Sequence, residues 1–162
     1  MKKSIYLLIA ALSITTSLTA HADFIDGTNL YSNGDYNGAY NEFLPEANNG
    51  DYLSEYYLGK MYYEGTGITK DYTQSLTWYE KAAEQNDSIS QMQTALMYKY
   101  GLGTNKNYIQ AYKWFKIVSL NGDLTALNHL KFITKYMSNT NIQEAELLVE
   151  SWEQQQQKIT SN

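Results

Sequence analysis

The 162-residue sequence contains no cysteine, no arginine and a single proline, Pro45. Each absence removes a class of explanation. Without cysteine there is no disulfide, no thiolate ligand and no cysteine nucleophile, so the fold must rest on packing alone. Without arginine the chain lacks the planar donor fork that grips phosphate and guanine edges, which disfavours a nucleic-acid partner. Histidine occurs only at His21 and His129, so no His-based metal pair survives once the N-terminal segment is set aside.

Long apolar runs are equally scarce, and the one present is N-terminal. Lys2 and Lys3 precede "IYLLIAALSI" at residues 5–14, and Ala20-His21-Ala22 puts small residues at the two recognition positions of a signal peptidase. The reading is a signal peptide over residues 1–22, cleaved after Ala22, with a periplasmic or secreted mature chain. An apolar run of about ten residues falls short of the roughly 20 a membrane span needs, so no stable membrane anchor is expected. From Asp23 onward, ten lysines face seventeen acids, a net charge of −7. That balance disfavours anionic lipid as well as nucleic acid.

What the sequence has instead is repetition. "YYEGTGITKDY" at 62–72 returns 36 positions later as "YKYGLGTNKNY" at 98–108. The same shift lays Met61 on Met97, Gly65 on Gly101, Gly67 on Gly103, Trp78 on Trp114 and Asp87 on Asp123. In the other direction Tyr36, Ala39, Phe43 and Asp51 register with Tyr72, Ser75, Tyr79 and Asp87. A catalytic motif normally occurs once per domain, whereas a structural unit is built repeatedly, and a period of roughly 20–50 residues reads as a solenoid.

Each unit divides into an A helix and a B helix. Leu58, Met61 and Tyr62 recur at helical spacing until Gly65, which can end a helix in the left-handed conformation. Asp71 with Gln74, and Asn107 with Gln110, read as capping boxes opening B helices, the first over about 71–85. Small residues at 39, 75 and 111 admit the A helix closely, while Trp78 and Trp114 fill space between units. Pro45 falls inside the first B helix, where a kink near Leu44 or an early end is expected. Asn141 with Glu144 reads as the box opening the last helix. The fold class is thus all-α, an α-α superhelix (solenoid) of antiparallel helix pairs. Units lie at about 24–51, 53–87 and 88–123, a capping pair at 124–157, and a disordered tail at 158–162.

The stretch "YLGKMYYEGTGITKDYTQSLTWYEKAAEQND" at 57–87 resembles the Sel-1-like repeat, a relative of the tetratricopeptide repeat. Residues 53–123 resemble two such units, and 24–51 a shorter tetratricopeptide-like one. Departures are Ser75 for the usual alanine, Ala95 for glycine, and "KIVSLNG" for the closing Lys-Ala-Ala segment. The resemblance implies a right-handed superhelix acting as an adaptor for protein partners.

Chemistry-bearing constellations are few. Glu80/Glu84 and Glu146/Glu150 are spaced one helical turn apart, but nothing in sequence desolvates them, so they read as solvated faces. The G-x-G turns end helices rather than open them and offer no dipole to an anion. His129 reads as a half-buried side chain. No catalytic residue, cofactor or metal is expected. The face of the A helix beside Leu58, Gly59 and Tyr62 carries Tyr56, Lys60 and Tyr63, and one period later Met92, Leu96 and Lys99. These six are the candidate partner-binding residues, although Tyr56 and Met92 suit a core equally well. Tyrosine fits such a surface because it covers area with few rotors, and the acidic balance favours a basic protein or peptide. The function expected is a monomeric, exported, non-enzymatic scaffold. An immunity-type inhibitor of an envelope toxin is the alternative. A β-lactam hydrolase of the family's disulfide-stapled branch is disfavoured by the absence of cysteine.

Overall fold

The computed structural model describes residues 27–161, so the signal-peptide reading lies outside the described residues. Helix α1 covers the described residues 27–32, followed by α2 (Tyr36–Asn48), α3 (Tyr52–Glu64), α4 (Tyr72–Glu84) and α5 (Ser88–Tyr100). Next come α6 (Tyr108–Leu120), α7 (Leu124–Ile133) with a 3-10 turn at Thr134–Tyr136, and α8 (Asn139–Thr160). No strand occurs among the described residues. Shifted by 36, the limits of α2 become those of α4 and then α6, and the limits of α3 become those of α5.

Local chemistry sets these limits. Asp35, Asp51, Asp71, Asp87, Asn107, Asp123 and Ser138 each accept a backbone N–H from the first turn of the helix that follows. At the other end, Gly65 and Gly101 stop α3 and α5 in the left-handed region, at φ 76° and 73°. The capping boxes are only half present. The N–H groups of Asp71 and Asn107 donate to the carbonyls of Tyr62 and Tyr98, both at 2.9 Å, so the neighbouring A helix takes the role expected of Gln74 and Gln110.

The second glycine of each G-x-G turn explains why the turn is built twice. A Cβ on Gly103 would lie 2.2 Å from the Tyr72 carbonyl oxygen, and one on Gly67 2.5 Å from Tyr36 Cβ. The loop of each unit thus rests on the first turn of the preceding B helix. It sets the distance between units.

Packing joins sequential neighbours: α2 to α3, α3 to α4, α4 to α5, α5 to α6, and α6 to both α7 and α8. The interior is a row of local cores, as a solenoid requires. Ala39, Phe43, Ala47, Leu58, Met61 and Trp78 form the first, and Leu76, Tyr79 and Met97 the second. The third, around Trp114, Phe115 and Ile133, closes on Ala145, Val149 and Trp152 of α8. The small B-helix residues behave as expected. Ser75 is fully buried and donates to the Gly59 carbonyl at 2.8 Å, where a Cβ on Gly59 would strike the Tyr79 ring.

Three boundary expectations are corrected. Helix α2 does not end early at Pro45 but runs to Asn48. Both Pro45 and Asn41, whose carbonyl loses its helical donor, are exposed, so water can satisfy it. The last helix opens at Ser138, three residues before Asn141, and Ile142 in its first turn packs against the third core. It continues to Thr160 through part of the expected tail, with Lys158 in its last turn, where a cation suits the helix dipole.

One buried acid yields a pH prediction. Glu55 is 3% exposed and accepts from Gln85 Nε2 at 2.8 Å, and burial raises its carboxyl above the ordinary range. With a folded value above the unfolded one, the protonated form favours folding, and that contribution is lost as pH rises through the folded value. Position 91, one period on, already holds a fully buried glutamine. Glu55→Gln should therefore raise the melting temperature at pH 7, with the gain vanishing toward pH 4 in thermal denaturation. A gain that is equal at both values would contradict this account.

Candidate functional site

The A helices carry one stripe across the stack. Tyr56, Lys60 and Tyr63 stand at i, i+4 and i+7 of α3, and Met92, Leu96 and Lys99 occupy the same positions of α5. One further period falls on Phe132 of α7 and on Lys135 in the 3-10 turn.

The structure sets the six candidate residues at different depths. Tyr56 and Tyr63 are half-buried against Leu76, Tyr79 and Met97, the core that joins α3, α4 and α5. Tyr63 also meets Tyr72 edge-on, with centroids 5.2 Å apart. Lys60 Nζ sits 4.8 Å above the ring of Tyr31, whose hydroxyl donates to Glu64 Oε2 at 3.0 Å. Met92 and Leu96 are half-buried against the third core, and Met92 lines a hollow of about 240 Å³ with Ile89 and Val118. Lys99 lies deepest at 7% exposed.

Around Lys99 the structure gathers residues outside the six candidates. Its Nζ is 3.0 Å from His129 Nδ1 and 3.3 Å from the Tyr100 hydroxyl, and it faces the rings of Tyr100 at 4.9 Å and Phe132 at 4.7 Å. Phe132 in turn meets Tyr136 at 5.2 Å. His129 is half-buried and stacked on Phe115 at 4.9 Å. Burial first, and the Lys99 charge second, hold its ring below the ordinary histidine range despite Asp123. Nδ1 can therefore remain an acceptor at neutral pH. Tyr100, Phe132 and Tyr136 are exposed by 57%, 44% and 64%, the largest group of bare aromatic rings among the described residues. Carrying the Lys60 to Leu96 step once more would have found Phe132.

Many other tyrosines serve the seams. Tyr40 and Tyr62 share a hydroxyl bond at 3.1 Å between α2 and α3, Tyr98 donates to Glu80 across α5 and α4, and Tyr112 donates to Glu146 across α6 and α8. Glu84 pairs with Lys113 at 2.7 Å. These acids hold helices together. Among the described residues, no group of three or more His, Cys, Asp or Glu is placed to hold a metal ion, and no helix is long and apolar enough to cross a membrane.

Comparison with known proteins places this arrangement. The family described as Sel1 repeat matches residues 53–87 and 88–123. No curated protein matches the sequence. Among solved structures, one similar chain is c5321, a protective antigen present in uropathogenic Escherichia coli strains and displaying an SLR fold. It is 31% identical with a TM-score of 0.74, over 82% of this chain and 29% of that one. Another is a Sel1 repeat protein from Oxalobacter formigenes, 26% identical with a TM-score of 0.63, over 68% of this chain and 46% of that one. The chain spans less than half the length of either. With two consecutive units matched and stacked helix pairs throughout the described residues, it belongs to the Sel1-repeat proteins.

Proposed function

We propose that this chain is an exported scaffold that binds a protein or peptide on the inner face lined by its A helices, without catalysing a reaction. Sel1-repeat folds generally serve as scaffolds for protein–protein interaction. The observation that carries the reading for this chain is the aromatic end of the A-helix stripe. Three exposed rings at Tyr100, Phe132 and Tyr136 adjoin the buried Lys99 on packed helix pairs. Rigid rings on rigid elements bind with little ordering cost, and tyrosine and phenylalanine supply anchor area. Stacked pairs also give an extended surface suited to a polypeptide rather than a small molecule. Export is supported by the leader-like first 22 residues.

Site-specific photocrosslinking in the cell tests this reading. A crosslinker at Tyr100, on the stripe, should trap one discrete partner, whereas one at Leu147, 63% exposed on α8, should trap none. Equal trapping from both positions, or trapping only from Leu147, would move the interface off the A helices. Expression without residues 1–22 should abolish the product at Tyr100.

A further inference from the structure

The net charge of the chain hides a strong asymmetry. Residues 88–143 contain six lysines, at 99, 106, 113, 116, 131 and 135, and one acid, Asp123. The rest of the chain beyond residue 22 holds four lysines and sixteen acids. The ion pairs among the described residues join Lys113 to Glu84 and Lys116 to Glu146. The other four lysines of the segment are in neither pair. Three of them, Lys106, Lys131 and Lys135, are exposed.

Lys99 is the unusual one. It is 7% exposed, and its ammonium is held by a ring nitrogen, a phenol oxygen and two ring faces, with no carboxylate paired to it among the described residues. A cation removed from water is normally matched by an anion, because neutral acceptors and ring faces offset only part of its lost hydration. Beside it Phe132 and Tyr136 expose apolar surface that continues to Tyr108, whose ring lies 6.2 Å from that of Tyr136.

We propose that the α5–α7 end of the stripe, centred on Lys99, Tyr100, Phe132 and Tyr136, docks an acidic polypeptide segment. An Asp or Glu side chain of the segment meets Lys99, and a neighbouring apolar side chain lies on Phe132 and Tyr136. This rests on the scaffold reading above and names the chemistry of its partner. It reverses the basic partner that the overall charge suggests. The site is open, with three exposed rings, so it suits a side chain within a segment that runs on across it rather than a chain end. Acidic surface elsewhere repels such a segment, so the lysines set register and orientation more than raw affinity.

The test is an amide-resolved NMR titration of the exported protein with the capped peptide acetyl-Ala-Glu-Phe-Gly-Glu-Leu-Ala-amide and its glutamine analogue. The glutamate peptide should shift the amides of Lys99, Tyr100, Phe132 and Tyr136 and bind at least about tenfold more tightly than the glutamine one. Lys99→Met should remove that preference. Phe132→Ala, at a position 44% exposed and so compatible with the fold, should weaken both peptides. Equal binding of the two peptides, or a preference that survives Lys99→Met, overturns the assignment. So does a phosphatidylglycerol vesicle shifting the same amides when the glutamate peptide does not. Should the Tyr100 crosslink persist while the glutamate peptide fails to bind, the scaffold reading stands and the acidic-segment inference falls. Loss of the crosslink with the peptide preference intact would overturn the scaffold reading, and with it the assignment of a cellular partner to this site.

Discussion

Trp78→Ala is expected to destabilise the protein by about 3–5 kcal/mol, the range for removing a large buried aromatic side chain. Trp78 is on α4 yet packs in the core with Ala39, Phe43 and Ala47 of α2 and Leu58 and Met61 of α3. It is the wedge between the first and second units. One face of its ring is covered by Lys81, whose Nζ lies 3.8 Å from the ring centroid, and little of the side chain reaches water. Against a typical total stability of about 5–15 kcal/mol, the loss should lower the melting temperature by roughly 10–20 °C. Nearest-neighbour coupling in a solenoid makes the effect local. Amide exchange should accelerate first in α2 and α3, while α6 and α8 keep their protection. A variant that melts with the parent, or loses protection evenly from end to end, would rule out the wedge.

Gly103→Ala should cost roughly 2–5 kcal/mol from two sources that add. A left-handed alanine costs about 1–2 kcal/mol, and an overpacked contact typically about 1–3 kcal/mol. The backbone stands at φ 75°, and the added Cβ would meet the Tyr72 carbonyl oxygen at 2.2 Å and its carbon at 2.5 Å. Neither atom can rotate away, because both belong to the first turn of α4, pinned by the Asp71 cap. Relief requires moving the 101–107 loop, and with it the spacing between units. Gly122 is the control. It also has positive φ, 90°, but nothing lies within 4 Å of its Cβ position, so Gly122→Ala should carry the conformational term alone. Equal losses for the two variants, measured by chemical denaturation, would show that contact with the previous unit contributes nothing.

Both predictions start from features legible in the sequence. The 36-residue register, the acidic and amide caps and the helix-ending glycines are local, each acting within one turn of the chain. Helix limits could therefore be read closely, and the observed ones repeat at the same period. The misses are equally physical. An early end of α2 at Pro45 was one expectation because the cost was judged for an average helix, but the helix runs on to Asn48 and its exposure lets water take the orphaned carbonyl. Asn141 and Glu144 have the spacing of a capping box, but the helix opens at Ser138, whose hydroxyl accepts from the Asn141 N–H.

The candidate site was legible in direction but not in depth. Spacing placed Tyr56, Lys60, Tyr63, Met92, Leu96 and Lys99 on one stripe. How far each is covered depends on the next helix pair, which no single unit encodes. Lys99 sank beneath rings from α5 and α7, while Phe132, the next step of the same stripe, remained bare. Tyrosine was assigned to the partner surface for its shape, but a phenol one helix away from a carboxylate is also a seam bond. The lysine-rich stretch from 88 to 143 was visible in the letters and was concealed by netting it against the acids around it.

By itself the sequence determined that this chain forms helix pairs, where most of the helices start and stop, and that the pairs stack at a fixed step. Backbone hydrogen bonding and side-chain periodicity over a few residues decide those properties. Only the tertiary structure decided which charges are buried, which rings stay exposed, and which acids join helices rather than face water. Desolvation and contact depend on neighbours some 30 residues away in sequence, as between Lys99 and His129.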